Sequence, residues 1–218
     1  MIFNGRTYNL KTDSFGYAYY DIKLNPKSYS LRVSNPKTGE KANIKIKVVP
    51  KITKNKNLKI YYGSDKLYKI RVCNDYGKYE AGIKVTIYLN KKKYHLNTNN
   101  KGYVSLKFNL LPKTYKITAI SNGFKVSNKV VIKPTILTKD IKVKKGKTIK
   151  FKAILLNKKG KILKNKKVTF KFNGKSYKVS TNKKGVSTLK LKNNYLSGKY
   201  PIISSYGKLN IKNTIKIL

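Results

Sequence analysis

The sequence predicts an all-β chain in which small two-sheet sandwiches follow one another. Three observations predict it. Apolar and polar residues alternate along most of the chain, one tyrosine–threonine–glycine turn occurs three times, and no window has the spacing of an amphipathic helix of about ten residues or more. In "VTIYLN", Val85, Ile87 and Leu89 fall on one face, with Thr86 and Tyr88 on the other. The runs "VSLKFNL", "TYKITAI", "TIKFKAIL", "TFKFN" and "STLKLK" alternate likewise. A period of two belongs to half-buried antiparallel strands, with core residues inward and lysine outward.

The recurring turn reads "YNLKTDSFGYAYY" from Tyr8, "YHLNTNNKGYVSL" from Tyr94 and "YKVSTNKKGVSTL" from Tyr177. Asn4, Tyr8, Thr12 and Gly16 keep their mutual spacing in Asn90, Tyr94, Thr98 and Gly102, and again in Asn173, Tyr177, Thr181 and Gly185. Upstream, "NDYGKYEAGIKVTIYLN" aligns with "NKKGKILKNKKVTFKFN", placing Gly77 on Gly160 and Val85 on Val168. Downstream, "LNPKSYSLRV" matches "LLPKTYKITA" and, more loosely, "LSGKYPII". Pro50 and Pro134 follow strand-like runs and cannot donate to a sheet ladder, so both mark unit ends. The expected units are 1–50, 51–134 and 135–218. The complete ones, of about 84 residues, have the size of small β domains and are too long for solenoid repeats.

Met1 aligns with Ile87, so the first unit has no counterpart of residues 51–86. A sandwich without its opening strands exposes edges and half a core. On this ground the chain is expected to be a monomeric fragment of a longer protein.

Turn chemistry explains the recurring stretch. Asn99, Asn100 and Gly102 tolerate positive φ, and asparagine side chains can hydrogen-bond local backbone; glycine closes the turn, after which a strand starts with Val104, Leu106 and Phe108 facing in. The matching faces are Ala18, Tyr20 and Ile22, then Ser187, Leu189 and Leu191. Tyr8, Tyr94 and Tyr177 are expected to pack across the hairpin or over the sandwich end. The motif therefore reads as a folding device. About seven short strands per unit, with Gly- and Asn-rich turns, describe an immunoglobulin-like β-sandwich. Tyr29, Tyr115 and Tyr200 sit where that architecture places its corner tyrosine. A unit of this size buries roughly 60% of its unfolded surface. With one cysteine, Cys73, no internal disulfide is possible, and lysines facing one another across strands lower stability further at low salt.

The chain carries 52 Lys and Arg against seven acids, a formal charge of +45. Such a balance points to a polyanionic partner. Yet the only arginines are Arg6, Arg32 and Arg71, and the planar arginine fork is the usual reader of phosphates and bases. The excess of Lys, Asn, Ile and Tyr together also fits A- and T-rich coding, so the charge reads either as selected attraction or as composition. Residues 1–10 show no signal-peptide pattern, and no run reaches the roughly 18 apolar residues of a membrane span.

Catalytic chemistry finds few residues to work with. His95 is the sole histidine and sits on an expected strand, so imidazole or thiolate ligation of a metal is not expected. Asp75 and Glu80 share one loop, but a calcium loop needs several closely spaced oxygens. Cys73 aligns with Leu156, an apolar strand-end position, and reads as a core-edge residue. "GSDK" and "KKGKT" have too few glycines for a phosphate loop. No catalytic, cofactor-binding or metal-binding residue is assigned, and no cofactor is expected.

Asp75 and Gly77 in the first loop, Gly82 before the Val85 strand, Tyr94, Thr98 and Gly102 around the hairpin, and the proline loop before Tyr115 together resemble the Ig-like repeats of archaeal adhesin-like surface proteins. They are more distantly similar to bacterial repeats of the invasin and intimin kind. The third unit keeps most of the pattern but has Lys158 for Asp75 and Asn165 for Gly82. The resemblance implies a non-enzymatic, extracellular stalk or adhesion module at the cell surface, meeting anionic surface polymers or glycans of neighbouring cells. The alternative is a basic protein that binds nucleic acid; lysines spread over every strand imply weak, sequence-blind, salt-sensitive binding.

Overall fold

The computed structural model of the chain describes residues 1–22 and 24–218. Those residues form twenty strands and no helix. The chain is all-β, built of tandem immunoglobulin-like sandwiches with one open sheet ahead of them.

The open sheet consists of β1 (Ile2–Phe3), β2 (Arg6–Thr7), β3 (Ser28–Ser34) and β4 (Lys41–Lys47), in the order β2-β1-β3-β4. The first sandwich follows with β5 (Ile52–Thr53), β6 (Leu58–Tyr61), β7 (Tyr68–Val72), β8 (Lys84–Leu89), β9 (Lys92–Asn97), β10 (Tyr103–Leu106), β11 (Thr114–Ser121) and β12 (Phe124–Lys133). They make a three-stranded sheet, β10-β7-β5, and a five-stranded one, β6-β12-β11-β8-β9. The second sandwich repeats this with β13 (Ile136–Leu137), β14 (Ile141–Val143), β15 (Ile149–Leu155), β16 (Lys167–Phe172), β17 (Lys175–Ser180), β18 (Val186–Leu191), β19 (Gly198–Tyr206) and β20 (Leu209–Ile217). Its sheets are β13-β15-β18 and β14-β20-β19-β16-β17.

Each sandwich has eight strands where about seven were expected. The extra one is short and parallel: β6 pairs β12 from Leu58 opposite Val130, and β14 pairs β20 from Ile141 opposite Ile215. Sequence periodicity resolves such strands poorly because they are short and lie at a sheet edge. Without the extra one, the strands follow the immunoglobulin order, the first, second and fifth facing the third, sixth and seventh, with the fourth (β9, β17) at the edge of the latter sheet beside the third.

Alternation puts the apolar residues inside. Ile70, Val85, Ile87, Ile117, Ala119 and Val130 close the first core, and Phe151, Phe170, Phe172, Ile202 and Ile215 the second. The corner tyrosines sit as expected. The hydroxyls of Tyr29, Tyr115 and Tyr200 donate to the carbonyls of Asn25 (2.7 Å), Leu111 (2.9 Å) and Leu196 (3.0 Å). Two residues further on, where antibody domains place half of their disulfide, stand the fully buried Ile117 and Ile202. Apolar packing joins the sheets there.

Of the turn residues that tolerate positive φ, only Gly102 uses it, at 72°. Asn99 acts through its carboxamide, whose Oδ1 accepts from the amides of Lys101 (3.0 Å) and Tyr103 (2.9 Å), the local backbone bonding open to asparagine. Asn182 and Asp13 form the same side-chain turn. One expectation is corrected: residues 17–22 do not form the strand expected from Ala18, Tyr20 and Ile22. Their counterpart β10 pairs with β7, and the described residues of the first unit hold no counterpart of β7.

Candidate functional site

The recurring threonine turns out to be a buried staple. The Thr98 hydroxyl donates to the Glu80 carbonyl (2.6 Å) and accepts from the Ile83 amide (3.0 Å), tying the end of β9 to the loop before β8. Thr181 does the same with the Leu163 carbonyl and the Lys166 amide. Tyr94 and Tyr177 pack against the cores from opposite Ile87 and Phe170. Tyr8 packs on Tyr20 with ring centroids 4.6 Å apart. In the two sandwiches the recurring tyrosine and threonine are thus consumed by folding.

The chemistry-bearing residues do not converge. His95 lies exposed on β9 beside Thr86. Cys73 is buried, its Sγ 3.7 Å from the Lys51 carbonyl. Asp75 pairs with Lys51, and Glu80 accepts from the Asn74 side chain at 2.8 Å. Among the described residues no three His, Cys, Asp or Glu side chains come together as a metal site, and no helix is long and apolar enough to cross a membrane.

Two regions carry structure beyond self-packing. The first is the joint between the sandwiches. Only Pro134 and Thr135 separate β12 from β13. The Lys133 carbonyl accepts from the Tyr62 amide (2.8 Å) and the Thr135 carbonyl from the Leu156 amide (2.8 Å), so both flanks of the link are bonded. Tyr62 packs against both cores. The Tyr61 ring lies on Gly160, where a Cβ would meet Cε2 of Tyr61 at 2.3 Å. Asp65 pairs with Lys158 across the joint, and that hydrogen bond holds the Asp65 carboxyl below its usual range. A short link containing proline, pinned on both sides, is stiff. Of these residues the sequence marks only Pro134, as a unit end. Gly160 shows itself there only as a match to Gly77, and a contact between successive units leaves no periodic signal.

The second region is the open sheet. Its inner face presents Phe3, Leu31, Val33, Ile44 and Ile46 to a groove of about 800 Å³. In the first sandwich the equivalent face is covered by β10-β7-β5. In the open sheet Leu10, Thr12, Ala18, Tyr20 and Ile22 line the groove opposite, with Tyr20 edge-on to Phe3 at 6.0 Å.

No protein-family model matches the sequence, and no curated protein matches it. Solved structures similar to the chain include a titin I9–I11 tandem (16% identity over 88% of this chain and 74% of that one, TM-score 0.37). Another is a Ca²⁺-stabilised adhesin with which an Antarctic bacterium binds ice (12%, 100% and 64%, TM-score 0.28). A third is the pair of domains 4 and 5 of the S-layer protein SbsC (17%, 50% and 67%, TM-score 0.29). This chain therefore spans less than two thirds of that adhesin chain. At such TM-scores the likenesses decide nothing beyond the all-β architecture that the strands already display.

Proposed function

We propose that the chain is a stalk segment of an extracellular, adhesin-like cell-surface protein, dividing into units at residues 50 and 134. The observation that carries this reading is the joint. Two sandwiches with separate cores meet through Tyr61, Tyr62, Gly160 and the Asp65–Lys158 pair across a two-residue link, a build suited to holding something at a fixed distance. The absence of convergent polar chemistry among the described residues fits a non-enzymatic role. Likeness to archaeal adhesin-like repeats in the turn residues supports the surface location, where the lysine-rich faces meet anionic polymers through non-specific charge.

Small-angle X-ray scattering of the chain tests the reading. An elongated particle of well-defined length is expected, and it should bend more freely after Gly160→Ala. A compact particle in which the sandwiches merge overturns it.

The charge of +45 favours a second reading, a nucleic-acid binder. Titrating duplex DNA at about 50 and 200 mM salt separates the two. Loss of binding by orders of magnitude across that range is mere phosphate neutralisation. Salt-resistant, sequence-selective binding replaces the stalk reading.

A further inference from the structure

The outer face of the three-stranded sheet in the first sandwich carries a stack of cationic and aromatic side chains. Along β7, Tyr68, Ile70 and Val72 point into the core, so Lys69 and Arg71 point out. Arg71 stands opposite Tyr103 of β10 on one side and Thr53 of β5 on the other. Its guanidinium carbon lies 3.5 Å from the ring centre of Tyr79 and 5.2 Å from that of Tyr103. Lys69 Nζ sits 4.0 Å from the Tyr103 ring centre. Tyr79 in turn lies against Gly102, where a Cβ would meet its Cδ1 at 2.9 Å.

Three observations separate this stack from ordinary packing. Arg71 is one of only three arginines among 52 basic residues. Lysine, the usual cation of this chain, would keep the charge but lacks the planar fork. The second sandwich, moreover, does without the stack. It holds Ile154, Ile162 and Val186 at the repeat positions of Arg71, Tyr79 and Tyr103, and Ile154 pairs with Val186 in the same register. Folding therefore does not require it. Last, the guanidinium is oriented but not neutralised. Its Nε donates to the Lys101 carbonyl at 3.0 Å, while among the described residues no acceptor meets its two Nη atoms and no carboxylate pairs with it. Two rings and one hydrogen bond hold the fork in place, so little freedom is left to lose when an acceptor arrives.

We propose that Arg71 is the centre of an oxyanion-binding site on the first sandwich. Its two Nη groups donate in parallel to two oxygens that share a negative charge. The Tyr79 and Tyr103 rings hold the fork, and Lys69 adds a second positive charge beside it. The ligand is either free phosphate or a carboxylate of an acidic glycan, which offer the fork the same pair of oxygens. The site does not depend on the stalk reading, because it uses no residue of the joint.

The test titrates the full chain with inorganic phosphate and, separately, with trigalacturonate. Salt at about 150 mM screens diffuse attraction to the many lysines. With three arginines, each Nε–H signal can be followed singly by NMR. At least one probe should shift the Arg71 signal saturably and leave Arg6 and Arg32 in place; the probe that does so identifies the source of the anion. Arg71→Lys keeps the charge and loses the fork, and should weaken binding by about tenfold or more, read on the Tyr103 amide. Tyr79→Ile installs the residue found at that place in the second sandwich, so the chain still folds. It leaves the guanidinium unclamped and should weaken binding by about threefold. Each of three results overturns the proposal: no saturable shift at Arg71 with either probe, equal shifts at all three arginines, or either variant binding as tightly as the native chain.

Discussion

The open sheet and the first sandwich are built from matching sequence, yet one is closed and the other is not. Devices that act within a few residues survive in both. The corner tyrosines Tyr29 and Tyr115 reach back to carbonyls four residues earlier, and Asp13 and Asn99 cap the same turn. Devices that need distant residues exist only in the sandwich. Thr98 is buried in its staple, whereas its counterpart Thr12 is exposed; β10 is a strand, whereas Tyr17–Tyr20 is not. The difference teaches that the repeat encodes local shape and that its facing sheet supplies everything else.

The largest effect expected from this contrast is in the cores. Ile117→Ala leaves a cavity in a closed core and should cost about 2–5 kcal/mol. Leu31→Ala, at the matching position, opens onto a face that solvent already reaches and should cost about 1 kcal/mol. Hydrogen exchange read separately on β11 and β3 amides checks this; equal costs would mean that the open sheet is closed in solution.

Next comes the staple. Thr98→Val strands a buried amide and a carbonyl and should cost about 1–3 kcal/mol, visible as a lower midpoint in urea unfolding of the first sandwich. Thr12→Val should stay within about 0.5 kcal/mol. A larger effect at Thr12 would show that the first unit forms a staple of its own.

Alkaline pH distinguishes the two regions by a different physical route. Tyr68 lies in the facing sheet that the first unit lacks, and burial pushes its phenol up to about 12. The folded state therefore favours the neutral form. Its contribution is complete below the ordinary tyrosine value of 10.0 and is lost as pH rises from there through about 12. Lysines lose charge over the same range, so the clean measurement is the difference between the native chain and Tyr68→Phe. The native first sandwich should lose stability relative to the variant as pH climbs.

What was legible in the sequence follows the same division. Alternation in "VTIYLN" and "TIKFKAIL" disclosed the strands, and the spacing of Tyr29, Tyr115 and Tyr200 disclosed the corner, because each signal lies within one strand or loop. The dipeptides Asn4-Gly5, Asn122-Gly123 and Asn173-Gly174 also mark hairpins, with positive φ at both residues, and could have been read directly. The parallel strands β6 and β14 could not, since each is fixed by pairing with residues some seventy positions away. The joint could not either. Asp65 and Lys158 belong to different units, and neither one's surroundings in sequence mark it as a partner.

The smallest expected effect concerns a hairpin the two regions share. Asn4-Gly5 connects β1 to β2 with φ of 49° and 73°. The matching turn between β8 and β9 is Asn90-Lys91, with φ of 49° and 63°. Both residues are left-handed, as this hairpin type requires, but a lysine Cβ in that region crowds its own carbonyl while glycine has none. Lys91→Gly should therefore stabilise the first sandwich, by about 0.5–1 kcal/mol once the greater freedom of glycine in the unfolded chain is set against the relieved crowding. Gly5→Lys should destabilise the open sheet by a similar amount. Opposite signs from the two exchanges would show that the hairpins obey one local rule whichever sheet surrounds them. A stabilising Gly5→Lys would mean that the hairpin of the open sheet is not formed as its counterpart is.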